Sequence, residues 1–423
     1  MITTDAQGRP VVAVTGIGAV TSLGLGKADN WAKLSKGESG IRQITRFDTG
    51  GLRTTIAGTL DVATEDPFCC SDQSQRLAEI AALEAVTEAA IGSKADFPGP
   101  LFVGLPPVEI EWPHREALAD ACDGDEISYD DLLAAAATGR FQAMYERCRI
   151  GSIGDYLAER FGTKGIPVSV TTACASGATA IQLGVEAIRR REAQAALCVG
   201  ADGSVSPETI IRFSLLSALS TRNDPADSAA RPFSQDRDGF VMGEAAGALV
   251  IESLESARAR GARILGVIKG CGDTADPFHR TRPSPDGKAM IACMSKAIAD
   301  AGIDAAQIGY VNAHGTGTSE NDRMEYVAMS AVFADQVKQI PVSSTKSMIG
   351  HTLSAAGTIE AAFSLMMLEN QRLLPTINYR KPDPAIPLDV VPNSTRDVGL
   401  SYAMSNSFGF GGQNVSLIFG TAP

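Results

Sequence analysis

The stretch that decides the fold runs Val168-Ser169-Val170-Thr171-Thr172-Ala173-Cys174-Ala175-Ser176-Gly177 and joins a short apolar run to a helical pattern. Cys174 lies at the strand-to-helix turn, where the positive end of the helix dipole favours a thiolate. Its small neighbours leave room for a substrate, and its own N–H is placed to donate to an oxyanion. We predict that Cys174 is a nucleophile. The helix carries one apolar face, at Ala178, Ile181, Val185 and Ile188.

Outside this stretch, short apolar runs alternate with longer helical patterns, which predicts an α/β fold with a largely buried sheet. A second strand–loop–helix unit surrounds His351 and suggests an internal duplication. Residues 104–149 are acidic and irregular and are predicted to be a helical excursion, and the proline-rich segment 375–392 is predicted to be extended on the surface. The predicted strands are Val11–Thr15, Leu101–Val103, Val168–Thr172, Ala195–Gly200, Ala248–Glu252, Ile264–Lys269, Tyr310–Ala313 and Val415–Phe419.

Composition and charge exclude several classes of protein. The 423 residues carry a formal net charge of −12, which disfavours a nucleic-acid partner. No apolar stretch reaches the length of about 18 residues that a membrane-spanning helix needs. The eight cysteines show no CxxC spacing, so we expect no metal site. The N-terminus lacks the basic region of a signal peptide, so we expect free thiols in a reducing cytoplasm.

Two glycine-rich segments resemble phosphate-binding loops but lack the required context. Residues 15–21 follow a strand, yet Thr21 stands where a dinucleotide-binding loop needs its third glycine, and no acidic residue follows at the expected distance. A tight turn that packs a strand on a helix is the better interpretation. Residues 409–412 precede a strand rather than a helix. We therefore predict no tightly bound cofactor.

Two of the four histidines lie at the ends of predicted elements among glycines and small hydroxyl residues. His314 ends a strand, and His351 precedes a helix, where an imidazole has a lowered pKa and stays neutral at physiological pH. A cysteine protease would need one histidine and an orienting Asn or Asp instead. One thiol and two neutral imidazoles suit a different reaction, in which a malonyl thioester loses carbon dioxide and the imidazoles stabilise the enolate.

Four segments resemble the signatures of the elongating β-ketoacyl-acyl carrier protein synthases. They are residues 172–177 around Cys174, 312–318 around His314, 343–351 with Lys346 and His351, and 406–412 with Phe408. Shorter matches extend the similarity from about residue 11 to residue 420. The resemblance implies a thiolase fold, with five αβαβα layers in two pseudo-repeated halves (1–258 and 259–423), and a homodimer. It also implies an acyltransferase.

The resemblance implies that Cys174 holds an acyl group and condenses it with malonyl-acyl carrier protein, giving 3-oxoacyl-acyl carrier protein. The product would serve fatty acid or specialised (lipid A-type or polyketide-like) chain elongation. His314 and His351 would bind the malonyl thioester carbonyl. Lys346 would be a buried charge that orders the site, with Glu325 as its partner.

The remaining implied residues surround this centre. Asp322 completes an acidic pair with Glu325. Phe408 matches the gating aromatic residue, and its N–H would be the second oxyanion donor. Acyl carrier protein would deliver both substrates on its phosphopantetheine arm. The implied substrate-binding residues are Thr316 and Thr318, which match residues that hydrogen-bond that arm, together with Gly409 and Phe410 of the glycine-rich loop.

Two segments depart from the family pattern. The pair Asp125-Glu126 is acidic where members usually carry basic residues that grip the carrier protein. The segment Leu105-Pro106-Pro107-Val108 replaces a glycine-rich turn near the acyl pocket at the dimer interface. We therefore predict a specialised carrier protein or an unusual acyl chain.

Two other functions compete with this interpretation. A non-catalytic partner subunit that resembles a chain-length factor would be expected to lack the nucleophile, whereas Cys174 and both histidines are present. A degradative thiolase would need a second cysteine near the C-terminus, and no cysteine follows Cys293.

Overall fold

The computed structural model describes residues 3–64, 66, 69–92, 95–108, 110–122 and 126–423. Within them, none of the helices is both long enough and apolar enough to span a membrane. The strands are β1 Val12–Thr21, β2 Arg42–Gln43, β3 Ile56–Ala57, β4 Leu101–Gly104, β5 Val168–Val170, β6 Ala195–Asp202, β7 Ala245–Ser253, β8 Gly266–Ala275, β9 Tyr310–Asn312, β10 Val342–Ser343, β11 Arg372–Leu373, β12 Arg396–Asp397, β13 Tyr402–Phe408 and β14 Gln413–Gly420. The helices are α1 Lys27–Leu34, α2 Cys70–Ala89, α3 Trp112–Ala119, α4 Tyr129–Ala137, α5 Gln142–Arg147, α6 Ser152–Phe161, α7 Ser176–Arg189, α8 Pro207–Leu215, α9 Leu254–Ala259, α10 Lys288–Ala301, α11 Ser319–Phe333, α12 Lys346–Ile349 and α13 Ala356–Asn370.

The sheet repeats one strand pattern twice. One block runs β5-β4-β6-β7-β1 and the other runs β10-β9-β13-β14-β8. In each block the first three strands are parallel to one another, and the last two join antiparallel. β1 and β8 pair antiparallel and connect the blocks. The duplication suggested by the sequence is therefore present in the topology, while the exact boundary at 258/259 stays a prediction.

The helices complete five layers. α2 and α6 cover the outer face of the first block, α10 packs on β8 and β14 of the second block, and α11 packs against α10. α7 and α13 lie between the two blocks and contact each other. One apolar core surrounds α7 and α13 between the two blocks, a second lies under α2 and α6, and a third lies under α10 and α11. This is the αβαβα arrangement of the thiolase fold that the motifs imply.

The two central helices touch at glycine. A Cβ on Gly357 of α13 would lie 2.2 Å from the backbone nitrogen of Ala178, and one on Gly177 of α7 would lie 2.7 Å from the nitrogen of Thr358. No larger residue fits at either position without moving a helix. The contact brings together the loops that precede α7 and α13, which carry Cys174 and His351.

The glycines that resemble a dinucleotide-binding loop serve packing. Gly16 and Gly18 lie inside β1, so the turn expected there from the sequence is wrong. A Cβ on Gly16 would lie 2.0 Å from the carbonyl oxygen of Ala85, and one on Gly18 would lie 1.9 Å from that of Ala81. Both contacts are with α2, which confirms the close packing of a strand on a helix.

The proline-rich segment 375–392 is more buried than the sequence suggests. Its apolar side chains are buried at Ile377, Ile386, Leu388 and Val390. The carbonyl oxygen of Asp389 accepts the N–H of Val342 at 2.8 Å, so the segment covers the edge of β10. The predicted extended surface strap is therefore corrected to a cover for one end of the sheet, because an unpaired sheet edge needs hydrogen-bond partners.

We expect Gly357→Ala to lower the free energy of unfolding. Alanine ordinarily stabilises a helix interior by about 1 kcal/mol relative to glycine. Here the methyl group would collide with backbone atoms of α7, and overpacking of this kind costs about 1–3 kcal/mol. Thermal and denaturant unfolding measure the change. Gly399→Ala is the control, because Gly399 is exposed and a Cβ there meets no atom within 4 Å. A Gly357→Ala protein as stable as the parent would contradict the tight contact.

Candidate active site

Cys174 lies in a constrained turn between β5 and α7. Ala173 has a φ of 49°, in a region that L-residues other than glycine rarely adopt. Ser176 Oγ accepts the N–H of Thr172 at 2.8 Å and donates to the carbonyl oxygen of Ala173 at 2.7 Å. The turn presents the thiol to a cavity and leaves Cys174 only 7% exposed.

His351 makes a direct contact with the thiol. Its Nε2 lies 3.1 Å from Cys174 Sγ, and its Nδ1 accepts the N–H of Leu353 at 3.3 Å. A neutral imidazole carries one proton, so the acceptor role of Nδ1 places that proton on Nε2. The backbone of His351 is held on both sides, since its N–H donates to Val241 and its carbonyl accepts from Gly243. Nε2–H is therefore the donor that faces the reaction centre.

His314 completes the cluster and, like His351, comes from the second half of the chain. Its ring centroid lies 5.2 Å from that of His351, at an interplanar angle of 83°. The possible ligand atoms of Cys174, His314 and His351 all lie within 4.8 Å of one another. The structure thus brings together the three residues that the sequence places on three loops. A cysteine and two histidines could also coordinate a metal ion, so the expectation of no metal site stays a prediction.

Burial and a nearby cation keep both imidazoles neutral. Burial lowers the pKa of His314 and of His351 well below the usual value, and the charge of Lys346 lowers both further. The helix position used in the sequence argument is not among these causes. Neutral rings can each donate one hydrogen bond to a developing negative charge.

Burial works against the thiolate form of Cys174 that its place at the helix N-terminus favours. Burial raises the pKa of its thiol to about 11, although Lys346 and the backbone N–H of Phe410 act in the opposite direction. Desolvation of a thiolate in this enclosed site outweighs the helix N-terminus. The sulfur therefore carries a proton before substrate binds and must lose it as it attacks.

Lys346 is buried as predicted, but its partner is Glu360 rather than Glu325. The ammonium group donates to Glu360 Oε1, on the central helix α13. Burial raises the pKa of Glu360 to about 7, although Lys346 acts in the opposite direction. A charge pair with a short hydrogen bond offsets part of the cost of removing both groups from water. The pair fixes a positive charge behind the two histidines.

Glu325 and Asp322 organise the backbone instead. Glu325 accepts the N–H groups of His314 and Gly315, both at 2.8 Å, and so fixes the end of β9. Asp322 accepts the N–H groups of Phe233 and Gly317 at 2.7 and 3.1 Å. Both acids act on the loop that carries His314, so they are positioning residues.

Phe410, rather than Phe408, has its backbone N–H near the thiol, while the gating role expected of Phe408 stays a prediction. Phe408 ends β13 opposite Asn414, and its ring packs 6.1 Å from that of His314. The backbone N–H that lowers the pKa of the thiol is that of Phe410, in the glycine turn after the strand. Gly409 passes so close to the nucleophile that a Cβ there would lie 3.2 Å from the nitrogen of Cys174. Phe408 is held by the hydrogen bonds of its strand to the neighbouring strand, whereas Phe410 lies in a turn and can face the sulfur.

One cavity of about 740 Å³ contains this centre. Thr316 and Thr318 line it on the side of His314, and their hydroxyl oxygens lie 3.0 Å apart. Gly409 and Phe410 also line it. One of the two segments that depart from the family pattern, residues 105–108, lines the cavity. In the other, Glu126 is exposed and Asp125 lies outside the described residues.

Two residues missed in the sequence support the site. Asp202, at the end of β6, is buried, and burial raises its pKa to about 6. Its Oδ2 accepts the N–H of Ser354 at 3.0 Å, which ties the loop of His351 to the sheet. Glu360 is the other residue. The sequence offers a signal for each of them, since Asp202 is an acid at the end of a predicted strand and Glu360 is a lone acid within the apolar start of α13.

Comparisons with known proteins agree with this geometry. A family model described as the β-ketoacyl synthase N-terminal domain matches residues 9–95 and 129–257, and one described as the C-terminal domain matches residues 265–380. The 3-oxoacyl-[acyl-carrier-protein] synthase 2 of Staphylococcus aureus (strain COL) is 37% identical over 420 residues, which cover 96% of this chain and 97% of that protein.

Solved structures show the same fold. A chain from the apo AntDE:AntF complex superposes with a TM-score of 0.85 at 29% identity, covering 98% of this chain and 100% of that one. That complex is described as a type II PKS acyl-carrier protein with its ketosynthase bound to the hexaketide. The ishigamide ketosynthase/chain length factor gives a TM-score of 0.83 at 33% identity, with the same coverage. The chain therefore belongs to the β-ketoacyl synthase family, the condensing enzymes of the thiolase fold.

Proposed function

We propose that this enzyme condenses an acyl group on Cys174 with malonyl-acyl carrier protein. In the first half-reaction the sulfur attacks the acyl thioester, a new C–S bond forms, and the bond to the phosphopantetheine sulfur breaks. The thiol proton leaves with the pantetheine thiolate. The backbone N–H groups of Cys174 and Phe410 stabilise the oxyanion.

The second half-reaction uses the histidines. The malonyl thioester loses carbon dioxide, and the electron pair of the broken C–C bond forms an enolate. Nε2–H of His351 and one N–H of His314 donate to the enolate oxygen. The enolate carbon attacks the acyl-enzyme carbonyl, a C–C bond forms, and the Cys174 thiolate leaves and takes up a proton. The product is 3-oxoacyl-acyl carrier protein.

The observation that carries this proposal is the buried Cys174–His351–His314 cluster, with Nε2 of His351 directed at the sulfur. Its intact nucleophile also counts against a non-catalytic partner subunit. Both neutral imidazoles are fixed before substrate arrives, so they need no reorganisation as charge develops.

The cavity opening fits a carrier-borne substrate. His279, Thr281 and Arg282 line the cavity, and Arg282 is exposed. The N–H of Gly411 donates to the carbonyl oxygen of Arg280 at 2.7 Å, so this basic segment contacts the turn that holds Phe410. A cationic rim suits the phosphate of a phosphopantetheine arm and an acidic carrier protein. The rim provides basic groups for the carrier protein in place of the basic pair that Asp125 and Glu126 replace.

A homodimer is the assembly that the surface favours. β5 ends one edge of the sheet, and Val168 within it is 40% exposed, while nearby Ile166 is 88% exposed. An uncovered strand edge with apolar side chains is a site for pairing with another chain. The opposite edge, β10, is covered by segment 375–392. Between residues 112 and 150 the chain carries further exposed apolar side chains, at Trp112, Ile127, Tyr129, Leu133, Tyr145 and Ile150.

Acyl transfer to Cys174 tests the function directly. We expect incubation with acyl carrier protein bearing a fatty acyl group to add the acyl mass to the intact enzyme, as measured by mass spectrometry. Cys174→Ala should show no adduct, because no other thiol lies at the His351 donor. Cys122→Ala, which removes a half-buried thiol outside the cavity, should be acylated like the parent. An adduct on the Cys174→Ala protein would contradict the mechanism.

Malonyl decarboxylation should be insensitive to pH across the range where histidine ordinarily titrates. The pKa values of His314 and His351 lie well below the usual value, so both rings stay neutral as the pH falls through about 6.5. Carbon dioxide release from malonyl-acyl carrier protein measures the rate. His351→Ala should lose about 10²–10³-fold, which shows that the measured rate belongs to this site. A twofold fall centred near pH 6.5 would show an ordinary imidazole instead.

Charge on the β5 edge should dissociate the dimer. We expect the parent to sediment at twice the 44.2 kDa mass of the chain, and Ile166→Glu with Val168→Lys to shift it towards the monomer. Analytical ultracentrifugation measures both. Leu215→Glu is the control, because Leu215 is an 81% exposed apolar residue at the end of α8 and is not part of the β5 edge. A parent that is monomeric at micromolar concentration would rule out the assignment.

A further inference from the structure

The cavity extends from Cys174 to a group of polar side chains that the condensation chemistry does not use. Three of these side chains, Ser74, Glu111 and Ser206, are buried, and Glu208 is half-buried beside them. A pocket for a plain alkyl chain is lined by apolar side chains, because polar groups cost free energy when they are buried without partners. The polar lining therefore indicates something about the chain that the pocket accepts.

Glu111 is held in place by its own partners. Its Oε1 accepts the N–H of Cys70 at 2.7 Å, and its Oε2 lies 3.0 Å from Nδ1 of His114. Nε2 of His114 lies 2.7 Å from Asp66. Burial lowers the pKa of His114, but the hydrogen bonds to the two acids outweigh burial and raise it. Both oxygens of Glu111 are thus occupied.

Glu208 differs because one of its oxygens has no partner. Oε1 accepts the N–H of Trp112 at 2.6 Å, at the start of α3. Oε2 is shielded from solvent and has no hydrogen-bond partner among the described residues. An unsatisfied buried acceptor costs about 1–3 kcal/mol, and more when it is charged. A ligand that brings a donor to this oxygen would recover that free energy.

The remaining walls suit the hydrocarbon part of an acyl chain. Leu105, Val108 and Ile153 line the same cavity and are apolar. Since Cys174 lines this cavity too, a chain attached to the sulfur can extend between these walls towards Glu208. The donor would then lie on the chain itself. Arg212, one helical turn after Glu208, also lines the cavity, so positive charge already faces this region. A neutral donor fits better than a cation.

We infer that the pocket selects an acyl chain bearing a hydroxyl group, which donates to Oε2 of Glu208. This inference rests on the proposed acylation of Cys174. Ser206, which caps α8, and Glu208 in the first turn of that helix are the specificity-determining residues. A site built to hydrogen-bond a substrate hydroxyl discriminates strongly against the analogue that lacks it.

Competition between matched chains tests the selection. Pantetheine thioesters of one chain length, with the hydroxyl at successive carbons or absent, would compete for Cys174 in a single turnover followed by mass spectrometry. We expect one hydroxylated position to be loaded at least about tenfold faster than the plain chain, the ratio that one satisfied hydrogen bond supports. Glu208→Leu should bring that ratio to about one, by slowing the hydroxylated chain and accelerating the plain one.

Two further variants separate the explanations. Glu208→Gln keeps an acceptor for Trp112 and puts an amide N–H2 in place of Oε2, which can donate to the hydroxyl, so the ratio should stay within about threefold of the parent. Glu255→Leu alters an exposed glutamate in α9, away from the cavity, and should leave the ratio unchanged. This comparison shows whether the selection belongs to Glu208 rather than to a general loss of acidic charge.

Three results would overturn the inference. They are equal loading of every chain by the parent, a preference that survives in Glu208→Leu, and faster loading of a chain with an ammonium group than of the hydroxylated one. Failure of the proposed function is distinguishable, because then even acetyl-pantetheine, which carries no hydroxyl to donate, would leave Cys174 unmodified.

Discussion

The contact between α7 and α13 is the constraint on which the active site depends. The helices belong to different halves of the chain, and glycines at Gly177 and Gly357 let their backbones touch. Each helix is preceded by the loop that carries a reactive residue. Because the axes cannot move apart without losing the central apolar core, the distance between Cys174 and His351 follows from helix packing. The nucleophile and its donor are thus set by the interface between two duplicated units.

The same interface also sets the electrostatics. Glu360 is on α13 and holds Lys346 behind the histidines. Burial keeps both rings neutral, the Lys346 cation adds to this effect, and the same cation lowers the pKa of the thiol against a larger effect of burial. A site with these properties binds negative charge only when a reaction generates it. That fits an enolate and an oxyanion, which exist transiently, better than a stable anionic ligand.

The sequence predicts the reactive residues better than it predicts their partners. Cys174, His314 and His351 each stand where an apolar run meets small residues, and that pattern reflects the turn which exposes them. The sequence does not predict β13 as a strand, because its apolar run is interrupted by buried polar residues. One of them is Asn406, which accepts a hydrogen bond from Ser416. Glu325 and Glu360 are acids on either side of Lys346 in the sequence, and only the three-dimensional packing shows which of them is its partner. Phe408 lies at the end of a strand and Phe410 in the turn that follows it, and the sequence alone does not show where that boundary falls.

Similarity to the family informs the chemistry more than the substrate. The matched residues, 9–95 and 129–257 in the first half, include Cys174 but leave out residues 96–128. That unmatched segment supplies the proline-containing wall at residues 105–108 and also Glu111, both of which line the cavity. The reaction centre is built from the shared fold, whereas a wall of the acyl pocket is built from the part that departs from it. Chain selection can therefore diverge while the cysteine and the histidines keep their geometry, and the pocket rather than the motif must decide which acyl group this enzyme extends.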